Sequence, residues 1–262
     1  MSESTAGETV FTGTDNMILL AANPVLSFAA IIPAVILLVK VYKADRFEKE
    51  PTGLLISLVI LGIISTAIAV VLETIGSAIL GLIFTEGSVI YNFFMFFGVV
   101  AVSEECSKYI LLKKKTWKSP HFNYRFDGVV YAVFVSLGFA LWENIGYVSA
   151  YGLSAAFTRA ITAVPGHACF GVFMGAWYGL AKACENSGNP VASKKARNMA
   201  LLVPILLHGT YDFMCSLGSY LFSIIFIVFV VLMYIHAVRK VKTLSRNDYY
   251  IQNDYDRFGY GG

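Results

Sequence analysis

The chain has 262 residues, 57% of them hydrophobic and only 14% charged, with a mean hydropathy of +0.66 and a formal net charge of +3. Soluble domains carry about 25% charged residues, so a water-exposed globule is excluded and an integral membrane protein is expected. The basic residues form several short clusters rather than one patch, which gives no footing for nucleic acid.

The N-terminal stretch MSESTAGETVFTGTDN contains no Lys or Arg, so it lacks the charged n-region of a cleaved signal peptide. Residues 1–21 read as a polar extracytoplasmic tail. A bilayer core needs about 20 apolar residues per helix, and seven runs qualify: roughly 22–41, 53–74, 88–112, 127–149, 160–181, 199–217 and 219–238. They lack period-2 alternation and are too long for barrel staves, so helices are the expected form. The piece GSAILGLIFTEGS after the second run reads as a short interfacial or re-entrant segment. Residues 22–240 then make one transmembrane domain, an all-α polytopic bundle, and 241–262 a disordered cytoplasmic tail rich in Tyr, Asn, Asp and Gly. Four cysteines, Cys106, Cys169, Cys184 and Cys215, lie in or beside apolar runs without CxxC spacing and read as small buried hydrophobes.

Charge fixes the expected orientation. Eighteen of the 20 basic residues follow the first, third, fifth and seventh runs, and the intervening segments are almost free of Lys and Arg. By the positive-inside rule the N-terminus is outside and the C-terminus cytoplasmic, in the cell membrane. The two basic residues outside this pattern are Lys108, inside the third run, and Arg159, at the start of the fifth. The loop DRFEKEP (Asp45 to Pro51) reads as solvated.

Ionisable groups inside a membrane cost about 3 kcal/mol each at a helix centre and by default mark a functional site. Here they are Glu104, Glu105 and Lys108 on the third run, Glu143 on the fourth, His167 on the fifth, and His208 and Asp212 on the sixth. Glu104 and Lys108 are i,i+4, as are His208 and Asp212, so each pair shares a helix face. That spacing assigns Lys108 to Glu104 as an ion pair and leaves Glu105 for chemistry. Pro165 and Gly166 loosen the helix start before His167, and Gly171, Gly175 and Gly179 repeat GxxxG as a close-packing face.

Two histidines with several carboxylates suit hydrolysis by either of two routes. In one, a divalent metal such as Zn²⁺ is bound, with Glu143, His167 and His208 as its ligands. In the other, no metal is present and a glutamate acts as general base toward water. HExxH, GxSxG and GxGD are all absent. Two other functions use the same residues: a proton- or cation-coupled transporter or channel, and a non-catalytic scaffold. The first calls for inverted repeats, which the sequence lacks.

The motifs EECSK (Glu104 to Lys108), FALWEN (Phe139 to Asn144) and HGTYD (His208 to Asp212) stand in order on successive runs. With DRFEKEP, FDGVVYA (Phe126 to Ala132) and PGHACFGVFMG (Pro165 to Gly175), they make the chain resemble the PrsW family of intramembrane proteases over residues 24–240. These are distant relatives of the CAAX prenyl proteases and bacteriocin-processing membrane proteases. The resemblance implies an intramembrane endopeptidase acting on a membrane-spanning protein, an anti-sigma factor in the best-known bacterial case. By motif, Glu104 and Glu105 would carry catalysis, and Glu143, His167, His208 and Asp212 would complete the site. Lys108 would pair with a glutamate.

One geometric difficulty accompanies a single site. Measured from the expected cytoplasmic boundaries at 1.5 Å per residue, Glu105 lies about 10 Å deep and Glu143 about 24 Å. A single site requires Glu104 or Glu105 within about two water shells of His208.

Overall fold

The computed structural model describes residues 24–251, so the N-terminal tail 1–21 and the chain from 252 lie outside the described residues. The described chain is helical throughout. Helix α1 is Pro24–Ala44 and α2 is Thr52–Gly81. A six-residue α3, Val89–Phe94, passes through a π-helical turn, Met95–Val100, into α4, Ala101–Thr116. Then follow α5, Asp127–Ile161; α6, Ala163–Asn186; α7, Pro190–Ser216; and α8, Tyr220–Arg246.

Six stretches are long and apolar enough to cross a membrane, against seven expected. The difference lies in Asp127–Asn186, a 60-residue stretch that holds the expected fourth and fifth runs together. Its backbone is broken twice, at Gly152 (φ 73°, ψ −157°) and at Thr162 (φ −120°, ψ −76°). The first of these conformations is open only to glycine. Between the breaks, a short helical piece brings Arg159 within 2.9 Å of Glu143, which precedes the first break. The expected interfacial piece also turns out differently: Gly76–Gly81 simply prolongs α2.

Helix α5 organises the bundle. From Phe126 to Ala140 every residue is buried, which a Val-, Ala- and Gly-rich helix with no polar face permits. Its neighbours approach through glycines. A Cβ on Gly62 of α2 would lie 2.8 Å from Phe139 N, and one on Gly171 of α6 would lie 2.9 Å from Val133 Cα. Gly175 and Gly179 meet Gly128, Val129 and Arg125 in the same way. The GxxxG face is thus a packing face, as read.

An aromatic cluster sets the depth of the site. Phe122 packs on Trp117, Tyr131 and Tyr178 with ring centroids 6.2, 5.4 and 5.3 Å apart, and Trp117 lies 5.0 Å from Tyr178. These rings put the end of α4, the first turns of α5 and the second half of α6 at one level. Glu105 is twelve residues before Trp117, Glu143 twelve after Tyr131 and His167 eleven before Tyr178. At 1.5 Å per residue all three lie about 17–18 Å from the cluster. The depth mismatch came from levelling α5 at residue 127 and ending the third span at 112, whereas α4 runs on to Thr116.

The same end of the bundle is tied by loops. Ser245 Oγ donates to Ala44 O, Ile251 N to Asn123 O at 2.7 Å, and Arg125 N to Tyr249 O at 3.2 Å. Residues 241–251, expected in the tail, therefore continue α8 and then pair with 123–125. The DRFEKEP loop is only half solvated: Arg46 to Lys49 are exposed, but Asp45 and Glu50 are buried. Burial raises the Asp45 carboxyl to about 6 and the Glu50 carboxyl to about 7.

Candidate active site

The third run carries its charges on α4, one turn past the π-helical segment, a feature frequent at functional sites. Glu104, Glu105 and Lys108 are all buried, Glu105 and Lys108 completely. The Lys108 ammonium lies 3.0 Å from Glu104 Oε2, 2.8 Å from Glu105 Oε1 and 3.3 Å from His167 Nδ1, with the Phe139 ring centroid 3.9 Å away. Lys108 therefore pairs with both glutamates, not with Glu104 alone. An ammonium only donates, so His167 Nδ1 accepts, and its Nε2 carries the hydrogen donated to Glu143 Oε2 at 2.8 Å. Ser136 Oγ donates to His167 O at 2.6 Å and holds the start of α6 against α5.

His208 enters from α7. Its Nδ1 is 3.0 Å from Glu105 Oε1 and its Nε2 3.2 Å from Asp212 Oδ2. Both nitrogens meet carboxylate oxygens, so each is satisfied by an N–H. Phe170 stacks on the imidazole at 4.7 Å, and the two histidine rings are 5.4 Å apart. The proximity required of Glu104 or Glu105 to His208 is met by direct contact.

All six charged residues other than Lys108 that the sequence singled out come together, five of them around a cavity of about 250 Å³. Glu104, Glu143, His167, His208 and Asp212 line it. Glu105 stands behind, anchoring Lys108 and His208, so the glutamate facing the cavity is Glu104. Two further charges were not placed in the site from sequence. Glu73 reaches it from α2; it stands at the edge of the second expected run, where a charge looks like a span end. Arg159 arrives on the piece between Gly152 and Thr162. Its Nη2 is 2.9 Å from Glu143 Oε2, its Nε donates to Asn144 Oδ1 at 3.1 Å, and its guanidinium covers Tyr147 at 3.9 Å. The signal for Arg159 was its exception to the positive-inside pattern.

Donor atoms of Glu104, Glu105 and His167 lie within 4.8 Å of one another and could hold a metal. Of the ligands expected from sequence, His167 belongs to this trio, while Glu143 and His208 stand beside it. The donor set fits a divalent cation. Two carboxylates and an imidazole are suitable ligands, and Glu105 Oε2 is buried without a hydrogen-bond partner. Around the cavity and its back wall, Glu73, Glu104, Glu105, Glu143 and Asp212 face only two permanent cations among the described residues, Lys108 and Arg159. Because Lys108 touches one atom of each trio member, a bound cation and the ammonium draw on the same acceptors.

The profile of the family described as PrsW family intramembrane metalloprotease matches residues 50–237. The chain belongs to the PrsW family. Protease PrsW of Oceanobacillus iheyensis is 35% identical over 220 residues, covering 84% of this chain and 95% of that protein. Protease PrsW of Bacillus subtilis is 32% identical over 221 residues, 82% of this chain and 93% of its own length. Protease PrsW of Clostridioides difficile is 32% identical over 215 residues, 80% and 87% respectively. No solved structure matches the chain. As a PrsW-family member it is a multi-pass intramembrane metalloprotease, a peptide hydrolase with a buried Glu–Glu–His group.

Proposed function

We propose that this PrsW-family protease cuts a peptide bond in a membrane-spanning protein substrate, with water activated in the cavity among α2, α4, α5, α6 and α7. The observation that carries this reading is the meeting of a Glu–Glu–His trio and a separate carboxylate, Glu143, at one cavity, with Glu104, His167 and Glu143 in its wall and Glu105 behind. Glu104, Glu105 and His167 would hold a divalent cation, Zn²⁺ being suited to the donors. Such a cation supplies Lewis-acid polarisation of water or of the scissile carbonyl. Glu143 is the carboxylate then left for the water's proton. His167 and Arg159 both hold it through Oε2, which leaves Oε1 for the water. His208, held through both ring nitrogens by Glu105 and Asp212, stands in the cavity wall and offers its positive charge to the oxyanion of the tetrahedral intermediate. Glu143 then gives the proton it took from the water to the departing amine, which restores its carboxylate.

The alternation of basic clusters supports seven crossings, N-terminus outside and C-terminus cytoplasmic, in the cell membrane. In this arrangement the two halves of Asp127–Asn186 cross separately, and the aromatic cluster is on the cytoplasmic side. The resemblance to PrsW proteases points to anti-sigma-factor-like regulated proteolysis. Incubating the purified chain with a single-span substrate tests the reading. Glu104→Gln, Glu105→Gln, Glu143→Gln and His208→Ala are each expected to lose cleavage. Full cleavage by all four would remove the assignment of this cavity.

A further inference from the structure

A second cavity, of about 410 Å³, lies among α1, α6 and α8 on the side of α6 away from the catalytic cavity. Leu37 and Val41 of α1, Ala168 and Val172 of α6, and Tyr234 and Val238 of α8 make its walls. The Tyr234 hydroxyl is committed to Thr162 O at 2.7 Å and Ile161 O at 3.1 Å, so it offers no free donor to an occupant. Lys40 and Lys242 are the only charged residues on the groove. Both are exposed, and neither makes an ion pair or hydrogen bond among the described residues. From Tyr234 to Lys242 is eight residues of α8, about 12 Å of helix. The groove is thus an apolar slot ending on two uncompensated cations.

We infer that this groove binds an anionic phospholipid, with an acyl chain in the slot and the phosphate between Lys40 and Lys242. Chemistry favours an acyl chain, since the walls are apolar and the one hydroxyl on them, that of Tyr234, is already committed. Charge selects an anionic headgroup: lysines at the membrane surface attract anionic lipid, and basic pockets between helices hold such heads. The lysines also stand at the α1 and α8 ends nearest the Ser245–Ala44 tie, the level of the loops rather than of the catalytic cavity. The bound lipid would lie against Pro165, Ala168 and Cys169, directly behind His167.

Native mass spectrometry of the full chain tests this, with phosphatidylglycerol and phosphatidylcholine of identical acyl chains as probes. Phosphatidylglycerol is expected to be retained over phosphatidylcholine, and Lys40→Gln/Lys242→Gln to weaken its retention about 30-fold. Ala168→Trp, which fills the slot, is expected to abolish retention of both lipids. Lys113→Gln/Lys114→Gln removes the same charge from α4, away from the groove, and is expected to change nothing. Millimolar inorganic phosphate is expected not to displace the lipid. Equal retention of the two lipids overturns the inference. So does an equal loss in the α4 variant (general surface charge), displacement by phosphate (a bare anion site), or displacement by a stoichiometric single-span peptide (a helix site). The readout is binding, so its failure leaves the proteolytic reading untouched.

Discussion

Lys108 sits among three acceptors with its ammonium fully buried. Taking away one member of a buried charge group strands the others, at a cost of about 3–5 kcal/mol. Lys108→Met, close in volume but uncharged, is therefore expected to destabilise the protein by that amount in detergent denaturation. Added divalent metal should recover part of the loss, since it can take the same acceptors; no recovery would separate the ammonium site from the metal site. Glu143→Gln keeps shape but cannot take a proton, and general bases contribute about 10²–10⁴ in rate. Its kcat is expected to fall by that factor while bound metal stays. Arg159→Lys keeps the charge but loses the fork that spans Glu143 and Asn144. An expected tenfold or greater loss in kcat with little change in KM would mark Arg159 as positioning Glu143.

Among the elements, α5 and α6 carry the tightest constraint, because their backbones meet at glycines. A Cβ on Gly175 would fall 2.5 Å from Val129 Cα, a distance only helix displacement can relieve. Gly175→Val is expected to destabilise by about 3 kcal/mol or more and to separate Glu143 from His167; a thermal scan with the cleavage assay reads both. These helices were legible in sequence because each feature obeys a local rule: apolar run length, GxxxG spacing and i,i+4 charge pairs. Glu104, Glu105, Glu143, His167, His208 and Asp212 stand out in sequence by their cost in lipid and by the EECSK, FALWEN, PGHACFGVFMG and HGTYD motifs, and the fold brings them together. Arg159 and Glu73 were not placed, because their position depends on a break at Gly152 and on the extra length of α2. Neither is set by the local pattern around the charge itself. The choice between Glu104 and Glu105 was read from one i,i+4 pair, whereas Lys108 reaches both glutamates and the cavity opens on Glu104.

At the scale of the molecule, the loop end and the catalytic cavity are about 17–18 Å apart along three helices levelled by one aromatic cluster. That end responds to pH through Asp45 and Glu50, whose carboxyls are raised by burial to about 6 and about 7. Their unfolded values are near 4, so between about pH 4 and 7 the folded loop binds more protons than the unfolded one. Its stability is expected to fall as pH rises through that window. Hydrogen exchange at the 45–50 and 123–125 amides should show this, and Asp45→Asn/Glu50→Gln should flatten it; a stability that rises with pH would contradict the burial.

The central claim is that Glu104, Glu105 and His167 form one metal-holding group served by Glu143. The most direct measurement is the metal content of the purified chain by inductively coupled plasma mass spectrometry, with cleavage followed in parallel. The expected result is one divalent ion per active chain, lost with activity in Glu105→Gln and His167→Ala and retained without activity in Glu143→Gln. A fully active, metal-free wild type, or undiminished metal in Glu105→Gln and His167→Ala, would contradict the account.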